Sequence, residues 1–265
     1  MVLPWLWSGV IFIVKNNYRE IDSDWNNEFR RDFLRLLLKK KIVNDYINLE
    51  NLHEHIDDDL KAYDFNSGVN KFNELFYETD DKFNNLYFKF IKFLYDDVFD
   101  FDFYFQSIPT IRIHFPNSKN SNHYPRYHTD CQYGHPPQEI NLWFSLTTNE
   151  DSGFSLLSLK DSTDIIDESQ DWESLTKLAI NDKEFNDYCD KVSKNIKSTT
   201  DKIYAFNSLC LHSNHPRKND TRISMDIRIN PVDKFVDGYV GKGRMKAEFK
   251  PGGKFGYHLL SAKKI

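Results

Sequence analysis

Two histidines and one aspartate stand out as a set able to bind a metal ion. His128 and Asp130 lie in Tyr127-His128-Thr129-Asp130, and His212 lies in Leu209-Cys210-Leu211-His212-Ser213-Asn214. Residues two apart on a strand project to the same side, so His128 and Asp130 reach one ion if this stretch is extended. His212, which follows a strand candidate, supplies the second imidazole. Two imidazoles and one carboxylate form the facial triad that leaves coordination positions open for other reactants. The three-letter spacing is weak alone. His55-Ile56-Asp57 repeats it in a segment of helical character, where residues two apart project to nearly opposite sides and cannot share an ion. That copy is read as accidental.

Arg222-Ile223-Ser224 adds a fourth element, ten residues beyond His212 on the next strand candidate. A guanidinium fork matches a carboxylate with two parallel hydrogen bonds, and a neighbouring hydroxyl can donate a third. This is the chemistry needed to hold the distal carboxylate of 2-oxoglutarate while its keto-acid end chelates the metal. His212 has a rival in His215, but Pro216 follows His215 and marks the chain leaving the strand. Arg222 has a rival in Arg228, which alternatively binds substrate or pairs with Asp226. Asn141, Trp143 and Ser145 share one face of a strand candidate. Either that face is solvent-exposed, or Asn141 hydrogen-bonds the co-substrate and Trp143 walls the pocket. Arg112 and His114 pose the same choice, with Arg112 as a co-substrate contact. Arg126, Tyr133 and His135 flank the metal candidates in a loop rich in proline and glycine, the kind of segment that caps a site and selects substrate. Cys131, Cys189 and Cys210 are too few and too scattered for a disulfide framework or a zinc site, and they are read as small buried hydrophobes.

The elements that must position these residues change character along the chain. Phe29, Phe33, Leu34, Leu37 and Leu38 predict one helix, with Asp22-Ser23-Asp24 to cap it. Phe72, Leu75, Phe76, Phe83, Leu86, Tyr87, Phe90, Ile91 and Leu94 keep the same three- and four-residue steps. After Phe105 the period becomes two. Thr110–Phe115, Glu139–Thr147 and Thr221–Ile229 predict strands, with shorter ones at Phe154–Leu159, Lys202–Phe206 and Leu211–Ser213. A helical stretch over Trp172–Val192 interrupts them. Pro251-Gly252-Gly253 predicts a turn before Phe255–Leu260.

At 265 residues the chain reads as a single domain: residues 1–105 a largely helical layer, 106–240 a β core, 241–265 an extension. A net charge of −5 gives no overall field to attract nucleic acid, and the basic tail (Lys242, Arg244, Lys246, Lys250, Lys254, Lys263, Lys264) is read as a solvated face. Met1–Val14 is apolar but short for a membrane span. It lacks the basic leader of a secretory signal, so a buried strand or packing arm and a cytoplasmic location are expected.

The order His128-x-Asp130, His212, Arg222-x-Ser224 resembles that of the iron(II)/2-oxoglutarate-dependent oxygenases. Four stretches are similar to the streptomycin-biosynthesis-type members of the phytanoyl-CoA-hydroxylase-like group: 109–114, 128–135, 139–143 and 221–228. The resemblance covers about Pro109 to Arg228, and the helical first hundred residues have no part in it. It implies a mainly β fold with a helical N-terminal layer, a cupin-like double-stranded β-helix (jelly roll) with Fe(II) between its sheets. It also implies 2-oxoglutarate and O2 as co-substrates and a small-molecule substrate hydroxylated or otherwise oxidised with release of succinate and CO2. Asp130 stands where halogenases of that superfamily leave room for halide, which favours hydroxylation, desaturation or ring chemistry. Ser145 replaces an expected proline, and 161–200 follows no family pattern. A non-redox metal protein of the cupin type, an isomerase or small-ligand binder, is the alternative. A third reading is an interaction protein that keeps the fold without a working site. Oligomeric state and substrate identity are open.

Overall fold

Aromatic residues at helical spacing build the first layer of the molecule. The structure, a computed structural model, describes residues 18–64, 69–76, 79–106, 108–116, 126–214, 219–234 and 257–258. Among these, β1 (Tyr18–Asp22) leads into α1 (Trp25–Lys39), then a 3-10 turn (Leu49–His55) and α2 (Asp58–Lys61). The short pair β2 (Tyr63–Asp64) and β3 (Val69–Asn70) precedes α3 (Lys71–Glu74) and α4 (Asp81–Phe93), which ends in a π turn (Leu94–Val98). On α1 the residues Phe29, Phe33, Leu36 and Leu37 are buried, and on α4 Phe83, Tyr87, Phe90 and Ile91, each set on one face. Phe29 packs on Phe83 and Phe90 with ring centroids 5.6 Å apart. The expected cap of α1 takes a different form. Asp24 occupies the cap position without a side-chain bond, while Ser23 Oγ accepts from the Trp25 N–H.

Strands β4 (Phe103–Gln106) and β5 (Thr110–His114) come next, then a 3-10 turn (Asp130–Tyr133), β6 (Ile140–Ser145) and β7 (Asn149–Leu156). Three helices follow: α5 (Leu159–Glu168), α6 (Trp172–Asn181) and α7 (Lys183–Val192). The remaining strands are β8 (Lys194–Ser198), β9 (Lys202–Asn207), β10 (His212–Asn214), β11 (Arg222–Pro231) and β12 (Tyr257–His258). The large sheet runs β1-β9-β6-β11-β4-β12, with β5 also on β11, and the small one runs β10-β7-β8; every pairing is antiparallel.

β11 shows how one sheet serves two sides. Ile223, Met225, Ile227 and Ile229 are buried in the core shared with α1 and α4, where Phe144 of β6 meets Phe29 and Phe90. The alternate residues Arg222, Ser224, Asp226 and Arg228 take the other face. That face is covered by the small sheet, through Trp143 on Phe154 and Phe206 on Phe154. The solvent-exposed option for Asn141, Trp143 and Ser145 therefore falls, since all three are buried.

Several expectations need correction. The chain is not mainly β, because helical residues outnumber strand residues among those described. The stretch 172–192 is two helices, broken at Asp182, whose side chain accepts from the Phe185 N–H to start the second. The strand expected over Phe154–Leu159 ends at Leu156, where Ser158 caps α5. Met1–Val14, His215, the Pro251–Gly253 turn, most of Phe255–Leu260 and the basic tail lie outside the described residues. No described helix is long and apolar enough to cross a membrane.

Candidate metal centre

β10 and the segment before the 3-10 turn bring the three candidate ligands together. His128 and His212 exchange two backbone hydrogen bonds, 3.0 Å and 2.9 Å, as an isolated antiparallel bridge. Their rings lie 4.4 Å apart, and His212 Nε2 is 3.9 Å from Asp130 Oδ1. One ligand atom from each of His128, Asp130 and His212 lies within 4.8 Å of the others, and this is the only such group found among the described residues. Asp130 is not on a strand. It opens the 3-10 turn after the extended Thr129, whose hydroxyl and backbone N–H form a capping box with Gln132. Turn geometry, rather than strand alternation, thus aims the carboxylate. His55 and Asp57 fall in a 3-10 helix and at the cap of α2, so that copy of the spacing builds no such site.

The shell around the carboxylate decides which oxygen is left for a metal. Asp130 Oδ2 accepts from Asn141 Nδ2 at 2.8 Å and from Arg228 Nε and Nη2 at 3.3 and 3.2 Å. Oδ1 is the oxygen that faces His212. Burial opposes charge on Asp130, but Arg228, His135, His212 and His128 outweigh it and hold the carboxyl well below its usual range. His212 Nδ1 lies 3.0 Å from the Cys210 carbonyl. That contact fits a protonated Nδ1 and leaves Nε2 as the donor toward a metal. The donor set, its burial and its orientation all fit a divalent ion of the facial-triad class.

Arg222 is fully buried and reaches the small sheet, donating to the Gly153 carbonyl and, at 2.6 Å, to Asn214 Oδ1. Asn214 lies two residues from His212 on β10, so this contact ties the guanidinium to the strand that carries His212. Ser224 Oγ is buried and meets no hydrogen-bond partner among the described residues. Arg112 pairs with Asp226. The option that Asp226 pairs with Arg228 is therefore overturned, since Arg228 turns to Asp130 and Glu139. Trp143 lies between Phe154 and Tyr204, and Tyr133 sets its ring edge-on to His128 at 5.4 Å. His135 Nδ1 is 3.0 Å from Glu139 Oε1. Arg126 donates to Asp190 of α7 at 2.5 Å, among exposed groups. Cys131 and Cys210 are buried free thiols, the latter pushed up to about 12 by burial, so both stay neutral as the hydrophobe reading expects.

Glu139 was missed as a site residue. It is wholly buried, 3.3 Å from Arg228 Nε, and burial raises its carboxyl despite His135 and Arg228. Its place at the start of an alternating run looks like an ordinary strand end. Only the fold brings it under Arg228.

No family model and no curated protein matches the chain. Solved structures do. The non-haem α-ketoglutarate-dependent carbocyclase SnoK from nogalamycin biosynthesis is 11% identical, with 94% of each chain covered and a TM-score of 0.48. EctD from S. alaskensis in its apoform is 10% identical over 96% of this chain and 88% of its own, with a TM-score of 0.46. EvdMO1 is 12% identical over 80% of this chain, at a TM-score of 0.45, and this chain spans 47% of its length.

Proposed function

We propose that this chain is an iron(II)/2-oxoglutarate-dependent oxygenase that oxidises a small molecule, its two sheets forming a double-stranded β-helix. The observation that carries the reading is the buried convergence of His128, Asp130 and His212, with Arg222 two residues along the strand from His212 through Asn214. His128, Asp130 and His212 would hold the iron. When bound, iron would supply the redox chemistry by which O2, 2-oxoglutarate and the substrate become succinate, CO2 and the oxidised substrate.

The protein's own residues orient and shield that centre. Asn141 and Arg228 hold Asp130 Oδ2, so a single oxygen of the carboxylate faces the ligand set. Arg222 and Ser224 supply the fork and hydroxyl for the distal carboxylate of 2-oxoglutarate. Phe154, Phe206 and Trp143 pack as an apolar cluster between the sheets. Arg112, tied to Asp226, lines the same sheet face beside Ser224. The substrate is left to the side beyond Tyr133 and His135.

A non-redox cupin-type protein is the second reading. It is favoured by the Arg222 fork already being engaged with Gly153 and Asn214. Anaerobic titration with iron(II) and then 2-oxoglutarate separates the two. The oxygenase should develop a weak visible charge-transfer band and, on admission of air, form succinate. Arg222→Lys should weaken 2-oxoglutarate binding at least tenfold while leaving iron binding intact, because a point charge cannot replace the fork. Wild-type protein that binds metal yet yields neither band nor succinate belongs to the second reading.

A further inference from the structure

The three helices between β7 and β8 each reach a residue within two positions of a proposed metal ligand. From α5, Ser162 Oγ accepts from the Leu211 N–H at 2.9 Å, next to His212. From α6, Thr176 Oγ1 accepts from Gln132 Nε2 at 3.0 Å, in the turn that Asp130 opens. From α7, Asp190 accepts from the Tyr127 hydroxyl at 2.7 Å, next to His128.

The middle contact reaches furthest. Gln132 Oε1 accepts from the Thr129 N–H at 2.7 Å, and Thr129 lies between His128 and Asp130. Thr176 therefore orients the amide that sets this turn. An apolar cluster of Tyr127, Leu157, Ile165, Leu175, Cys189 and Leu211 seats the helices on the same segments. Coverage alone needs only that cluster. One hydroxyl or carboxylate per helix, each landing within two residues of a different proposed ligand, does more than cover.

We propose that α5, α6 and α7 form a clamp that fixes the relative placement of His128, Asp130 and His212, with Ser162, Thr176 and Asp190 as positioning residues. A metal site tolerates displacements of about 0.5 Å before affinity falls, so supports at this distance matter. The proposal rests on reading those three residues as metal ligands.

The test deletes polar atoms and keeps shapes: Ser162→Ala, Thr176→Val and Tyr127→Phe combined in the full chain. Cobalt(II) is titrated anaerobically and read by its visible ligand-field absorption. The combined variant should bind cobalt about tenfold more weakly, as support-shell losses do, with shifted bands. Exchanging its Thr176→Val for Thr176→Ser should recover part of both. In metal-free protein, amide exchange at His128 and His212 should speed up in the combined variant.

Asn186→Ala is the control. It removes bonds from Asn186 to Ala179 and Asp182 that tie α7 to α6 and touch no ligand segment, so cobalt affinity should hold. Equal weakening by Asn186→Ala overturns the clamp, because general loss of stability then explains the effect. So does a combined variant with unchanged bands and unchanged exchange. Wild-type protein that fails to bind cobalt sinks the metal-site reading, while the exchange comparison still decides whether the helices order these segments.

Discussion

At the scale of single residues, the site turns on Arg228 standing between two buried carboxylates. It contacts Asp130 at 3.2 Å and Glu139 at 3.3 Å, and it has little access to solvent. Removing one member of such a group leaves uncompensated charge in a low-dielectric interior, at a cost of about 3–5 kcal/mol. Arg228→Met should therefore destabilise the fold by about that much in urea unfolding. Adding Glu139→Gln should return part of the loss, because one stranded carboxylate is then neutral. Additive losses across this double-mutant cycle would show that the two groups do not share one network. The sequence made the candidate ligands legible because His128, Asp130 and His212 stand among strand candidates together with Arg222-x-Ser224. It hid Glu139 and the partner of Arg228, whose contacts join distant strands, and it led to the His128–Asp130 pair through strand parity although a capped turn does the aiming.

Elements were legible where one physical pattern dominated. Apolar period set α1 and α4, and alternation set β5, β6 and β11. The edge strands β1 and β8 went unseen because Tyr18-Arg19-Glu20-Ile21-Asp22 and Lys194-Asn195-Ile196-Lys197-Ser198 are largely polar, as edges facing water can be. Two elements carry their own tests. At the start of α4, Asp80 accepts from the Phe83 N–H and pairs with Arg35 and Lys39. Arg35, against the opposing effect of burial, then Lys39 and that N–H hold its carboxyl well below the usual range. A depressed carboxylate stabilises the fold above its unfolded pKa of about 3.9, and that stability is lost as pH falls through the folded value. Asp80→Asn keeps a capping side chain and should cost about 1 kcal/mol at neutral pH. The gap from wild type should close as urea titrations move below about pH 4. In β7, Gly153 has φ +147°, and an added Cβ would meet the Ile196 carbonyl oxygen at 1.7 Å. Gly153→Ala must part β7 from β8 and move the carbonyl that Arg222 donates to. A loss of more than about 2 kcal/mol in urea unfolding is expected, together with weaker 2-oxoglutarate binding under the oxygenase proposal. A variant as stable as wild type would place the close approach elsewhere.

At the scale of the whole molecule, the large sheet is a shared wall. Its apolar face belongs to α1 and α4, and its polar face, with the small sheet and α5–α7, encloses the candidate centre. An ion held by His128, Asp130 and His212 ties the turn after Thr129 to β10, so it stabilises any state in which those segments remain together. At free metal one hundred times the dissociation constant, mass action adds about 2.7 kcal/mol to the folded state. Cobalt(II) should raise the melting temperature of the wild type and leave His212→Ala unmoved. Because the helical layer packs on the opposite face, we expect the site side to open while α1 and α4 stay docked, a sub-global opening of the kind native exchange detects. The metal-induced gain in amide protection should then concentrate in residues 126–134, 159–192 and 209–214, with a smaller change in α1 and α4. An equal gain in all of these would mean that the two faces of the sheet open as one unit, and the layered account of this fold would have to be given up.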